Sequence, residues 1–340
     1  MHFLADEWSS CAYVAARLST GGVLFVTDGS ACYRLSCPQE GHLLKEAVPA
    51  LESSHEEADT RLILHAAHAG NSGYSHVIIK SPDTDVAVLA AAHCAQINGT
   101  VLFLTGTKQR WRYVNISKVS AALGQNVCHA LPGFHSLTGC DSVSAFVGKG
   151  KAQGLQLLKS NEAIQKHLQM LGREFCPSDF DSLARSCEEV VCALYGYAHN
   201  NINDVRYAMF CSKAGDSSQL PPTRDALLQH IRRANYQAAI WHRALEAQPN
   251  VPNPSSHGWL VNGNGHLVIQ WMTQPPAPHD LLKLISCNCR SSCSTRRCSC
   301  VRGSLPCTDV CGCAGCENNL HSSKFAASNE ETADQSAEED

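Results

Sequence analysis

With 340 residues, 44% of them hydrophobic and 17% charged, the chain can bury a sizeable core, which excludes global disorder. A formal net charge of −4 and a pI near 6.5 give no whole-chain signature of nucleic-acid binding, so any such binding must come from local basic patches. No apolar run reaches the roughly 20 residues that span a bilayer, and the start, Met1-His2-Phe3-Leu4-Ala5-Asp6-Glu7, lacks a signal peptide's basic-then-apolar layout. These features predict a protein inside the cell with no membrane partner.

The first half alternates short β-branched runs with helical stretches, the pattern of a parallel α/β sheet. Val23 to Thr27 reads as a strand, Glu56 to Ala69 as a helix and His76 to Lys80 as a second strand. Asp83 to Ala95 reads as a helix, Val101 to Thr105 as a third strand and Ser117 to Leu123 as a helix. From about Gly148 the pattern is mostly helical through Ala247, until Pro249, Pro252 and Pro254 break the chain. Trp259 to Trp271, with Asn262-Gly263-Asn264-Gly265 at its middle, reads as a β-hairpin. Trp241, Trp259 and Trp271 are expected to anchor the core of this region. Arg224 to Arg243 reads as a basic helix with a solvated face. A proline stretch, Gln274-Pro275-Pro276-Ala277-Pro278, leads into a cysteine-rich segment, and the chain closes with six acids among residues 330–340, a tail expected to be disordered.

Nine of the 19 cysteines fall between Cys287 and Cys316. They are Cys287, Cys289, Cys293, Cys298, Cys300, Cys307, Cys311, Cys313 and Cys316. The remainder are scattered and read as small buried apolar residues of a reducing compartment. Nine thiolates used once each serve two tetrahedral zinc ions and leave one over. Three of them bridging pairs of metals would supply twelve ligand positions, which matches three zincs. Arg290, Arg296, Arg297 and Arg302 are placed to offset the residual negative charge. A segment with so few large apolar side chains cannot fold by burial alone, so zinc must supply its folding free energy, on the order of 10 kcal/mol or more per ion.

Cys287-Asn288-Cys289, Arg297-Cys298-Ser299-Cys300, the spaced Cys307, Cys311-Gly312-Cys313-Ala314-Gly315-Cys316 and Asn318-Asn319 resemble a tesmin-type CXC domain over about residues 285–320. Members of that family bind DNA. Tesmin-type members carry two such repeats, with a tyrosine shortly before the second Cys-x-Cys pair. This chain has one repeat, and Thr295-Arg296-Arg297 stands at that place. The resemblance implies a nuclear, DNA-binding zinc module in which an arginine enters a minor groove or pairs with phosphate.

Acids recur in four segments of the first half: Val26-Thr27-Asp28-Gly29, His55-Glu56-Glu57-Ala58-Asp59, Ser81-Pro82-Asp83-Thr84-Asp85 and Thr138-Gly139-Cys140-Asp141. Asp28 and the Asp83/Asp85 pair follow predicted strands, at the carboxyl edge where open α/β sheets place their sites. Singly, such acids serve as helix caps. Together they suit hard divalent cations, which need several carboxylates converging from different elements.

Glu57-Ala58-Asp59, Ser81-Pro82-Asp83-Thr84-Asp85 and Leu137-Thr138-Gly139-Cys140-Asp141 resemble, in order and spacing, the acidic motifs of the PIN-like, flap-endonuclease superfamily. Phe146-Val147-Gly148-Lys149-Gly150-Lys151 resembles the Gly-x-Gly turn of its DNA-gripping helix-hairpin-helix. The resemblance covers roughly residues 20–175, and its combination with a terminal CXC module is similar to that of transposon-derived animal proteins. It implies Mg²⁺ or Mn²⁺ held by Glu57, Asp59, Asp83, Asp85 and Asp141, with Gly148, Lys149, Gly150 and Lys151 against DNA.

The expected organisation is therefore a PIN-like α/β domain over 1–175, N-terminally incomplete because no strand ending in a metal-binding Asp precedes Val23. A helical extension with a hairpin follows over 176–272, then a CXC zinc module over 283–320 and the acidic tail over 321–340. The expected function is zinc-dependent DNA binding joined to a nuclease-like domain, with DNA as partner and no small-molecule substrate. The alternative is a non-enzymatic chromatin or DNA-tethering protein on a degenerate nuclease scaffold.

Overall fold

The computed structural model describes residues 2–39, 42–107, 110–198, 201–212, 219–274, 286–290, 292–302, 305–308, 311–313 and 316–318. Residues 1–272 form one unit and residues 273–340 a second. The proline stretch from Pro275 to Pro278, the acidic tail, Ala314, Gly315 and Asn319 lie outside the described residues. No helix among the described residues is long and apolar enough to cross a membrane.

Two short helices, α1 (His2–Ser9) and α2 (Ala12–Leu18), precede a three-stranded antiparallel meander of β1 (Val23–Asp28), β2 (Ala31–Gln39) and β3 (His42–Ala47). The parallel placement expected for Val23 to Thr27 is therefore corrected. Asp28 pairs with Ala31, and Gly29 adopts φ +57°, so the chain reverses at once into β2. A two-residue reversal is a local step, whereas a parallel partner needs a long crossover. Ala15, Leu18, Val26, Leu35 and Cys37 form the small core of this lobe.

The mixed α/β centre begins with α3 (Ala58–Asn71) and β4 (His76–Lys80). Alternation buries Val77 and Ile79 of β4. Helix α4 (Thr84–Ala92) then crosses to β5 (Thr100–Thr107), which pairs in parallel with β4, Ile79 against Phe103. An antiparallel strand, β6 (Arg110–Asn115), completes a three-stranded sheet in the order β4-β5-β6. Strand β6 and helix α6, below, were not foreseen. Helices α5 (Ile116–Leu123) and α6 (Gln125–Thr138) follow.

The helical stretch expected after Gly148 consists of α7 (Lys151–Ser160), α8 (Glu162–Met170), α9 (Phe180–Leu194), α10 (Ile202–Ser212) and α11 (Arg224–His242). One core joins both halves: Ile63, Leu89, Val101, Leu137, Leu168, Val191 and Ile231 belong to a single apolar cluster. Leu89, Leu137 and Leu168 are fully buried, each worth about 2 kcal/mol of transfer free energy.

The expected hairpin is present as β7 (Trp259–Val261) and β8 (Leu267–Ile269). Trp241 and Trp259 are buried, but Trp271 is 61% exposed and does not anchor the core. Helix α11 is not simply solvated either. Arg233 is 2% exposed, and its Nη1 donates to the carbonyls of Gly258 and Gln270, both at 3.0 Å. Arg232 lies over the ring of Phe180.

Candidate metal centres

The acidic site grows out of the end of β4. The Ser81 N–H donates to the Leu104 carbonyl (3.2 Å), continuing the sheet ladder by one residue. Ser81 Oγ then accepts from the Asp83 N–H (3.0 Å), and Asp83 Oδ1 accepts from the Asp85 N–H (2.8 Å). This turn makes Asp83 the N-cap of α4 and sets Asp85 in its first turn, where the helix dipole favours negative charge. Glu57 and Asp59 hold the same places on α3, as N-cap and in the first turn. Two helix starts thus bring their acids to one place. Carboxylate oxygens of Asp59, Asp83 and Asp85 all lie within 4.8 Å of one another.

The partners of these acids come from far along the chain. His135 Nε2 of α6 donates to Asp85 Oδ1 at 2.6 Å, and Lys151 Nζ lies 3.0 Å from His135 Nδ1. Lys151 Nζ is also 3.2 Å from Nε2; because an ionised carboxylate only accepts, the proton on Nε2 faces Asp85. Glu57 Oε1 accepts from Gln237 Nε2 (2.8 Å) and Glu57 Oε2 from Trp241 Nε1 (3.1 Å), both from α11. Gln237 Oε1 in turn accepts from Ser142 Oγ at 2.6 Å. Asp141 stands on a tight turn closed by paired Cys140 and Val143 backbone bonds (2.8 and 3.1 Å). That turn needs Gly139: its φ is +113°, and a Cβ there would meet Ala145 Cα at 2.8 Å. Asp141, Glu56, Glu57 and Gln237 line a cavity of about 940 Å³.

The electrostatics separate the acids. Burial, then the charges of Asp83, Glu57, Asp85 and Asp141, push the Asp59 carboxyl up to about 6. The hydrogen bond from His135 holds the Asp85 carboxyl below its usual range, against the effect of burial. Burial lowers the Lys151 ammonium, opposed by Asp85, Cys140, Asp141 and Asp83. A carboxyl raised by burial and then by neighbouring acids marks negative charge that a divalent cation would relieve.

Asp28 closes the β1–β2 reversal and is not among the gathered acids. Of the Gly148–Lys151 turn, Gly148 has φ +66° and Gly150 caps α7 without a side-chain bond. Lys149 Nζ sits 4.6 Å from the Tyr195 ring centre. Lys151 is exposed, with its Nζ beside the His135 ring. Sequence reasoning missed His135, Gln237 and Trp241, and no local signal marks them. They become partners only because α6 packs on α4 and α11 on α6.

In the second unit all nine cysteines are free thiols. Four-thiolate sets form around Cys287-Cys289-Cys293-Cys298, Cys287-Cys298-Cys300-Cys307, Cys287-Cys307-Cys311-Cys313 and Cys293-Cys307-Cys313-Cys316, each within 4.8 Å throughout. Individual Sγ separations are 3.8 Å for Cys287–Cys293, 3.9 Å for Cys287–Cys307, 3.7 Å for Cys300–Cys311 and 3.5 Å for Cys313–Cys316. A zinc tetrahedron with Zn–S bonds near 2.3 Å has edges of about 3.8 Å, whereas a disulfide is about 2.0 Å. The donor set therefore fits zinc. Around it, the Cys287 carbonyl accepts from the Gly312 N–H (2.7 Å), and a helical turn at Ser299–Arg302 carries Cys300. Arg290, Arg296, Arg297 and Arg302 are exposed.

Comparison with protein-family models, with curated proteins and with solved structures finds no match to this chain.

Proposed function

We propose that the chain is a DNA-binding protein in which a zinc-held, tesmin-like CXC module is joined to a PIN-like domain that hydrolyses phosphodiesters with Mg²⁺ or Mn²⁺. The observation that carries the hydrolytic reading is the convergence of Asp59, Asp83 and Asp85 within 4.8 Å. Asp59, Asp83 and Asp85 would hold the cation, with Glu57 and Asp141 flanking. A divalent cation there supplies polarisation of a phosphate oxygen and a water acidic enough to be a nucleophile near neutral pH. His135 and Lys151 fix the orientation of Asp85, and Gln237 and Trp241 that of Glu57, as outer partners of metal ligands do.

For the module, the proposed content is three zinc ions. Cys287 and Cys307 are proposed bridges because each belongs to three of the four-thiolate sets. Cys293, which like Cys298 and Cys313 belongs to two, is the proposed third bridge because it joins the set holding Cys289 to the set holding Cys316. Cys289 and Cys298 would complete the first ion with Cys287 and Cys293. Cys300 and Cys311 would complete the second with Cys287 and Cys307, and Cys313 and Cys316 the third with Cys293 and Cys307. Exposed Arg290, Arg296, Arg297 and Arg302 are the proposed DNA contacts, in the nucleus.

Two measurements test this reading. Manganese titration of the zinc-loaded chain, followed by electron paramagnetic resonance, is expected to show binding that Asp83→Asn with Asp85→Asn abolishes; equal binding by parent and variant would contradict it. Arg296→Ala with Arg297→Ala is expected to weaken duplex DNA binding and flatten its salt dependence. An unchanged affinity would remove DNA from the account.

A second reading is favoured by one observation: Asp85 and Glu57 already have internal donors. A site satisfied in this way can stand as a scaffold for a non-enzymatic DNA-tethering protein. Manganese binding without cleavage would select it.

A further inference from the structure

The helices of the main core cover one face of the β4-β5-β6 sheet, and the other face is open. Register places the side chains of that open face. Ile78 pairs with Leu102, Lys80 with Leu104, Leu104 with Tyr113 and Gly106 with Trp111. Directly paired residues share a face. Ile78 is 53%, Trp111 45% and Tyr113 61% exposed. Lys80 Nζ stacks 4.6 Å from the Trp111 ring centre. Between the two aromatics, and just before them, stand Arg112 and Arg110, both exposed on the opposite face.

Charge decides what this surface suits. The three strands hold no acidic residue, although the chain as a whole is acidic. Among the described residues, Lys80, Arg110 and Arg112 enter no ion pair. Two large rings with cations interleaved are the ingredients of a base-stacking platform beside a phosphate-tracking edge. Trp111 and Tyr113 lie two residues apart on one strand, about 7 Å, so each can take its own base. Ring faces reach base faces only where the bases are unpaired.

We propose that the open face of the β4-β5-β6 sheet binds an unpaired DNA strand, with Trp111 and Tyr113 stacking on bases, Lys80 beside them, and Arg110 and Arg112 reaching its phosphates around the free edge of β6. The adjoining ends of β4 and β5 lead to the acid cluster. Arg112 pairs with Thr105, and the preceding Leu104 carbonyl accepts from Ser81, two residues before Asp83. The link from platform to cleavage rests on the hydrolytic reading proposed above; the platform itself does not.

The test is fluorescence anisotropy of a short labelled oligothymidylate, and of the matching oligouridylate, titrated with the zinc-loaded full chain without added Mg²⁺ or Mn²⁺. A duplex of the same length serves as the readout of the zinc module. Trp111→Ala with Tyr113→Ala is expected to weaken single-strand binding tenfold or more, about 1.4 kcal/mol. Duplex binding should change less than about twofold, since stacking at about 1–3 kcal/mol per base is absent there. Trp111→Phe with Tyr113→Phe should restore single-strand binding, which excludes misfolding as the cause. Oligothymidylate is expected to bind more tightly than oligouridylate, and the reverse order overturns DNA as the occupant. Single-strand affinity unchanged by the alanine pair overturns the proposal, as does an equal loss on the duplex. A lower sedimentation mass in the alanine pair overturns it too, by assigning the face to a second copy. Asp83→Asn with Asp85→Asn should bind the single strand like the parent, so loss of cleavage and loss of the platform remain separate results.

Discussion

Asp59 shows how one side chain reports on the charge around it. Its carboxyl is raised to about 6 by burial and by four neighbouring acids. Between about pH 4 and pH 6 the folded chain holds a proton that the unfolded chain has released. That proton favours the folded state at low pH, and the contribution is lost as pH rises through about 6. In metal-free buffer, Asp59→Asn should therefore gain melting temperature over the parent as pH rises from about 4 to about 7; a difference flat with pH would contradict the charge assignment. Mn²⁺ at a hundred times its dissociation constant should stabilise the parent by about 2.7 kcal/mol and leave the asparagine variant nearly unmoved. Glu57, Asp59, Asp83 and Asp85 were legible in the sequence because each sits in a short motif at a helix start, and Asp141 because it follows a glycine turn. Their donors were not, because Gln237 lies 180 residues from Glu57 and its side chain differs in no way from a surface glutamine until α11 is packed.

At the scale of elements, Asp83 does two jobs that substitution can separate. It caps α4 through the Asp85 N–H and presents its carboxylate to the cluster. Asparagine also caps well, so Asp83→Asn should keep the parent's stability without metal and lose metal binding, whereas Asp83→Ala should also lose about 1 kcal/mol. Calorimetric melts of the two variants distinguish the roles. Helix α11 carries the opposite lesson. Its sequence, with Arg232, Arg233 and His242, reads as a solvated basic face, yet Arg233 is buried and ties α11 to Gly258 and Gln270. Arg233→Ala should cost on the order of 3 kcal/mol, because two carbonyls lose a charged donor inside the protein. Strands β2, β3 and β6 escaped notice for a related reason. Cysteine, arginine and proline interrupt the apolar pattern of β2, whereas β3 and β6 are short and carry few apolar residues; pairing with β1, β2 and β5 respectively fixes them instead. Strand β4 and the hairpin of β7 and β8 were legible because alternation and an Asn-Gly-rich turn are encoded locally.

At the scale of the whole chain, the two units owe their folding to different chemistry. Residues 1–272 bury an apolar core, whereas the cysteine unit offers thiolates at zinc-tetrahedron spacing and little else to bury. Removing zinc with a strong chelator should abolish the second unit's ordered amide signals and leave the thermal transition of the first in place; loss of both together would contradict independent folding. Elemental analysis should give three zinc ions per chain, and a count of two would remove the bridging arrangement. The cysteine spacing was legible because every ligand lies within 30 residues, whereas the meandering first lobe was not, because a parallel and an antiparallel strand share one local pattern. The central claim is that the acids of α3 and α4 work together on a phosphodiester. Its most direct test is cleavage of a labelled, branched DNA in Mn²⁺ by the zinc-loaded chain, beside Asp83→Asn with Asp85→Asn. The account predicts cleavage by the parent and none by the variant. No cleavage by the parent, or cleavage that survives the two substitutions, would contradict it.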